Sequence, residues 1–228
     1  MLHALPLLVL VLTAAPPEPS ARALNTEGFR LYRAGRYPEA LEKFQGAVKA
    51  DPAYALPRYN LAATLGVLRK QGKVCEYSAH RDVILEHLTQ AVRLDSRRLA
   101  RAREDEDLDA IRDTLGWQRL LGHKPEREAD VPALLRAVSW YGPAMGINGS
   151  KHTLRFLPKG RVVLWTRVVD EQGDENHGEL PGTYTVKGRQ VELRLMDEQP
   201  RKGTLTTAGA LTFPGLGTFT DSEPECDA

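Results

Sequence analysis

The sequence is poor in cysteine. It has only two, Cys75 and Cys226, and neither belongs to a C-x-x-C pair, so zinc-ribbon and thioredoxin chemistry are not signalled. In an oxidising compartment the two can form one intramolecular bridge; otherwise they are separate thiols. An excess of charge of one sign is also missing. The 31 basic residues face 30 acidic ones, for a formal net charge of +1. A nucleic-acid-binding field needs a basic excess, so no nucleic-acid partner is expected. No interior apolar run is long enough to cross a bilayer. Catalytic signatures are absent too: there is no G-x-S-x-G elbow, no Walker loop and no H-E-x-x-H. The chain is expected to be no enzyme and to carry no catalytic residues, cofactor or metal.

Three weaker patterns give the same reading. His80 and His87 are seven apart with Cys75 nearby, but the close spacing of metal ligands is lacking. The run EDEDLD at 104–109 reads as a solvated helix start, which the helix dipole favours. DEQGDENHG at 170–178 lacks calcium-loop spacing and reads as a long polar hairpin loop. Asn148-Gly149-Ser150 is a glycosylation acceptor only in a eukaryotic source.

Apolar residues make up 42% and charged residues 27% of 228 positions, enough for two small soluble domains. The one long apolar run, LPLLVLVLTAA at 5–15, suits the central region of a secretory signal. Ala21-Arg22-Ala23 fits the A-x-A cleavage pattern, so residues 1–23 are expected to be a signal peptide. The mature chain then starts near Leu24, has no transmembrane span, and is periplasmic or secreted. The alternative is an uncleaved hydrophobic anchor. No cysteine closely follows the run, so a lipid anchor is not expected.

Residues 35–52 read GRYPEALEKFQGAVKADP. Ala40, Leu41, Phe44, Ala47 and Val48 recur at three- and four-residue steps and make one apolar helix face. Gly35 and Pro52 bound it. Upstream, Leu24, Gly28 and Leu31 make a second stripe. Two helices joined at a glycine form an antiparallel hairpin. These residues, with Tyr37 and Asp51, resemble a tetratricopeptide repeat (TPR), whose period is 34 residues. A second repeat is expected from Ala55, with Tyr59, Leu61, Ala62 and Leu65 in its first helix and Leu88, Ala91 and Leu94 in its second. About ten extra residues around QGKVCEYSAH separate the two helices. A degenerate third segment, with Leu108, Ile111, Trp117, Leu120 and Leu121, would close the stack. The TPR-like domain is placed at 24–122.

Residues 123–136 read as a linker and short helix, with Asp130 as its cap. From 137 to 228 the period becomes two. HTLRFLP, RVVLWTRVV, GTYTV, QVELRL and GALTF read as short strands, and Val191, Leu193 and Leu195 face one way while Glu192 and Arg194 face the other. The fold class is therefore α+β: an N-terminal TPR-like helical repeat domain, then a small antiparallel β-sheet or barrel domain with a polar tail. WYGP at 140–143, F-x-x-x-G-x-V at 156–162 and G-T-Y-x-V-x-G at 182–188 resemble lipocalin-like β domains, a likeness of turns and strands that implies no ligand.

The resemblance to the repeat implies binding through a concave groove. Asn25, Phe29 and Tyr32 share a stripe beside the core stripe of the first helix. Arg33 flanks it, and Tyr59 and Asn60 take comparable places in repeat two. These six are the expected partner-binding residues, for a protein or peptide partner. Phe29 and Tyr32 could instead pack on the β domain or the long turn. Of the asparagines and basic residues that would clamp a carboxylate, only Asn60 is present. The functional expectation is an exported, non-catalytic protein–protein interaction or scaffold protein; the alternative is a carrier of a small apolar ligand in the β domain. A bridge between Cys75 and Cys226 would tie the tail to the long turn of repeat two.

Overall fold

The structure, a computed structural model, describes residues 19–143, 151–170, 172–196, 199–223 and 226. The apolar run at 5–15 and Asn148-Gly149-Ser150 lie outside them. Ser20 caps the first helix, α1 (Ala21–Arg33), by accepting from the Ala23 amide at 3.2 Å. Ala21, Arg22 and Ala23 thus form the opening turn of α1, and a cut after Ala23 would remove its cap.

Gly35 sits at φ +75° and turns the chain into α2 (Tyr37–Ala50). The two helices approach closely because Gly28 has no side chain: a Cβ there would meet the Phe44 ring at 2.7 Å. A second hairpin follows, α3 (Ala55–Lys70) and α4 (Arg81–Leu94). Three buried positions of α2 and α4 correspond, Ala40 with Ile84, Phe44 with Leu88 and Ala47 with Ala91, while Leu41 and Arg81 have no buried counterpart. Both helices end on an extended aspartate, Asp51 and Asp95, whose amide returns to an alanine carbonyl. The hairpins differ in their connections, residues 34–36 in the first and 71–80 in the second.

The third segment folds as α5 (Arg97–Glu104), a 3₁₀ turn (Glu106–Ile111) and α6 (Leu115–Leu120). Leu108, Ile111 and Trp117 are buried against the hairpins. The acidic run is a helix start, with Asp105 capping the 3₁₀ turn and Glu104, Glu106 and Asp109 exposed, but Asp105 and Asp107 are partly buried. It lies across α3, where Gly66 leaves room: a Cβ on Gly66 would collide with the Asp107 carbonyl.

The 123–136 stretch is less of a linker than its polar start implies. In α7 (Val131–Ala137) the residues Val131, Leu134 and Leu135 are fully buried in the core of the β domain. The reason is their three- and four-residue spacing, which puts all three on one face. Asp130 does not cap α7 with its side chain. Its carboxylate accepts the Lys124 amide at 2.7 Å and pairs with Arg127, closing the turn before the helix.

Eight antiparallel strands follow in simple sequence order: β1 (Trp140–Tyr141), β2 (Lys151–Leu157), β3 (Arg161–Val169), β4 (Glu175–Lys187), β5 (Gln190–Leu195), β6 (Arg201–Leu205), β7 (Leu211–Phe213) and β8 (Gly217–Phe219). Tyr141 and Thr220 exchange backbone hydrogen bonds of 2.7 and 2.9 Å, so the sheet curls into a nearly closed barrel. Such closure removes exposed strand edges. In β5, Val191, Leu193 and Leu195 point inward, as their alternation requires. DEQGDENHG is a shorter loop than its polarity suggests, because β4 already begins at Glu175. Inside, Trp140, Phe156, Tyr184, Phe213 and Phe219 pack on one another, and the Trp140 indole donates to the Leu135 carbonyl at the end of α7.

The two units are joined by Leu115 of α6, which is buried in the barrel core, by polar ties and by one covalent bond. Arg81 of α4 donates to Asp113, which also pairs with Arg155 of β2 at 3.5 Å and accepts from Ser139. A disulfide joins Cys75 to Cys226, with Cα atoms 6.0 Å apart and 151 positions apart in sequence. In the chain-entropy model a loop of that length contributes up to about 5 kcal/mol.

Candidate functional site

A cavity of about 510 Å³ opens on the concave side of the helical unit. α1 supplies Phe29, Tyr32 and Arg33; α3 supplies Leu56, Tyr59, Asn60 and Ala63. Phe44 of α2 contributes to it, and the third segment supplies Arg98, Arg101, Asp105 and Asp107. The position of Phe29 on its helix puts it outside the α1–α2 contact, and it stays 48% exposed.

The tyrosines are fixed from two sides. The Tyr32 hydroxyl donates to Asp107, and its ring meets Tyr37 edge-on at 5.3 Å. Phe29 lies parallel to Tyr32 with centroids 6.5 Å apart. The Tyr59 hydroxyl donates to Asp105 at 2.5 Å, and Asp105 also accepts the Asp107 amide at 3.2 Å. Burial, and then the adjacent carboxylate, hold both phenols well above the usual tyrosine range. Arg112 stiffens this wall by donating to the carbonyls of Arg103 and Asp105, at 2.9 and 3.0 Å, and to the Asp109 carboxylate at 2.7 Å.

Five of the six expected partner-binding residues line this cavity: Phe29, Tyr32, Arg33, Tyr59 and Asn60. Asn25 does not. It is buried at 6% exposure, and its Oδ1 accepts from Asn60 Nδ2 at 2.9 Å. Asn25 therefore orients Asn60 instead of presenting itself. Tyr32 packs on the acidic 3₁₀ turn and Tyr37, and not on the barrel.

Sequence reasoning missed Asp105, Asp107, Arg98 and Arg101. A signal was present in Gly66, which stands 34 positions after Tyr32. A glycine at that place in the second hairpin indicates that another backbone lies close. Cys75, considered beside His80 and His87, is taken up in the disulfide. His87 is largely buried, and that burial lowers its pKa.

Chemically, the cavity joins an exposed ring, fixed amide and phenol groups, and arginines. Arg33 makes no ion pair among the described residues, Arg98 pairs with Asp95 at 3.0 Å, and Arg101 lies near the Tyr59 hydroxyl. Its lining has no serine, cysteine or histidine, and both carboxylates already accept hydrogen bonds from the phenols. No protein-family model matches the chain, nor does any curated protein.

Proposed function

We propose that this protein is an exported interaction or scaffold protein that holds a segment of a protein partner in the groove of a short TPR-like array. The observation that carries the reading is Phe29, half exposed at a cavity whose walls come from both hairpins and the third segment. A large ring on a rigid helix, flanked by arginine, is the side-chain set that dominates protein interfaces. The repeat reading draws support from the starts of α1 and α3 at Ala21 and Ala55, 34 positions apart, and from the matching caps of α2 and α4. Export draws support from the apolar run at 5–15 and from the disulfide, which persists in oxidising compartments. Intact mass of the protein from its native host tests that part.

The carrier reading is the weaker one, because the large aromatics of the barrel fill its interior. Phe29→Ala is the direct test, since Tyr32 also holds the structure together. The wild type and the variant are compared by crosslinked capture in the native envelope. A partner recovered by the wild type should fall about tenfold or more with Phe29→Ala, while the thermal midpoint and circular dichroism stay unchanged. Equal recovery by the two proteins would overturn the reading.

A further inference from the structure

The cavity is lined by charges of both signs, and they are not equally available. Arg30 of α1 pairs with Glu27 at 2.7 Å, and Arg36, in the turn that follows, pairs with Glu39 at 2.9 Å. Each acid is three positions from its arginine. Arg33 has no acid three or four positions away in either direction, only Phe29, Arg30, Arg36 and Tyr37. Its helix therefore supplies it with no partner. It is exposed and makes no ion pair among the described residues. From α5, Arg98 and Arg101 enter the same lining. Arg98 is tied to Asp95 at 3.0 Å, whereas Arg101 is exposed and makes no ion pair among the described residues. The lining carboxylates are engaged already. Asp105 accepts from Tyr59 on one oxygen and from the Asp107 amide on the other, and Asp107 accepts from Tyr32.

We propose that the groove takes an extended, acidic segment of a partner protein, with a large apolar side chain two residues from a carboxylate. This rests on the reading of the cavity as a binding site and adds the chemistry of its occupant. Phe29 and Arg33 are four residues apart on α1, which is about 6 Å along the helix axis. An extended chain covers about 3.3 Å per residue and sends alternate side chains to one side, so groups two residues apart reach both. An apolar side chain against Phe29 then places a carboxylate at Arg33, where a guanidinium donates two parallel N–H···O bonds. Arg101 takes a second acid from α5. Asn60 donates through Nδ2 to Asn25, which leaves its Oδ1 without a donor among the described residues and able to accept a backbone amide of the segment. A basic segment would have to compete with the phenols for Asp105 and Asp107 and lie beside the unpaired guanidinium groups.

The test is a selection on the full oxidised chain from random segments of about a dozen residues, long enough to cross the groove when extended. They are displayed with their C-termini fused, so that no terminal carboxylate takes part. Segments retained by the wild type and lost on Phe29→Ala are the groove ligands. They should be enriched about threefold in Asp and Glu over the starting pool, with an acid two residues from a large apolar side chain. Against a synthetic copy of such a segment, Arg33→Glu and Arg101→Glu should each weaken binding roughly tenfold, and Arg33→Lys only about two- to threefold. Raising the ionic strength from about 0.05 to about 0.5 M should weaken it several-fold. Both arginines are exposed, so circular dichroism and the thermal midpoint should stay unchanged in the variants. Phe29-dependent segments without acid enrichment, or rich in Lys and Arg, would overturn the acidic occupant and leave the groove reading standing. The same holds for segments that Arg33→Glu and Arg101→Glu leave unaffected. A selection that returns no Phe29-dependent segment would overturn the groove reading itself, and this proposal with it.

Discussion

The helical unit and the barrel have similar materials and place them oppositely. The barrel turns Trp140, Phe156, Phe213 and Phe219 inward, where each is almost fully buried. The helical unit buries Phe44 and Tyr59 but leaves Phe29 half exposed, and all three line a cavity with Tyr32. A closed sheet has one interior, and aromatics on alternate positions must fill it. Stacked hairpins have a core face and a separate concave face, so aromatics on the second face can serve a ligand. On the proposed reading, binding is assigned to the helices for this reason.

The largest expected effect tests whether the units are separable. Trp140→Ala should destabilise the barrel by about 3–5 kcal/mol, through the cavity it leaves. In a denaturant titration the barrel signal should be lost first, with the helical far-ultraviolet signal outlasting it. A single shared transition would break the comparison and make the molecule one cooperative body.

Next comes the contact on which the groove wall depends. Gly66→Ala forces a methyl into the Asp107 carbonyl, and overpacking of that kind costs about 1–3 kcal/mol. Chemical denaturation should register it in the helical signal, with barrel amides unmoved. A neutral Gly66→Ala would mean that the wall can lie farther from α3.

The smallest effect is the most specific. Tyr32→Phe removes one hydroxyl–carboxylate bond and should cost about 1 kcal/mol. The sign of the pH dependence follows from the direction of the shift. In the folded protein both phenols are held above the ordinary value of 10.0, so their contribution is present below that pH. It is lost as pH rises through their raised folded values. Tyr77, hydrogen-bonded to Glu76, is raised as well, so phenolate absorbance should show three tyrosines titrating late in the native protein, two in Tyr32→Phe, and none once the chain is unfolded. Three late tyrosines in the variant would remove Tyr32 from the groove wall.

Much of the framework is legible along the chain. The apolar steps through Phe44 and Ala47, the turn at Gly35 and the alternation of 190–195 are short-range patterns, and a helix or strand must display them whatever it packs against. Asn25 was legible as a position on α1 but not in its role, because a stripe one residue wide separates a buried side chain from an exposed one. The same limit applied to Val131, Leu134 and Leu135: their spacing indicated a helix, while its place in the barrel core depended on strands that follow much later.

The sequence alone determined periods, turns and the absence of a charge excess, since each is set by neighbours within a few residues. Only the tertiary structure decided which distant groups meet. Tyr32 and Asp107 are 75 positions apart, Tyr59 and Asp105 are 46 apart, and Cys75 and Cys226 are 151 apart. No local preference selects such pairs. They meet because Gly66 lets the 3₁₀ turn lie on α3, and because closing the barrel brings the tail back across α6.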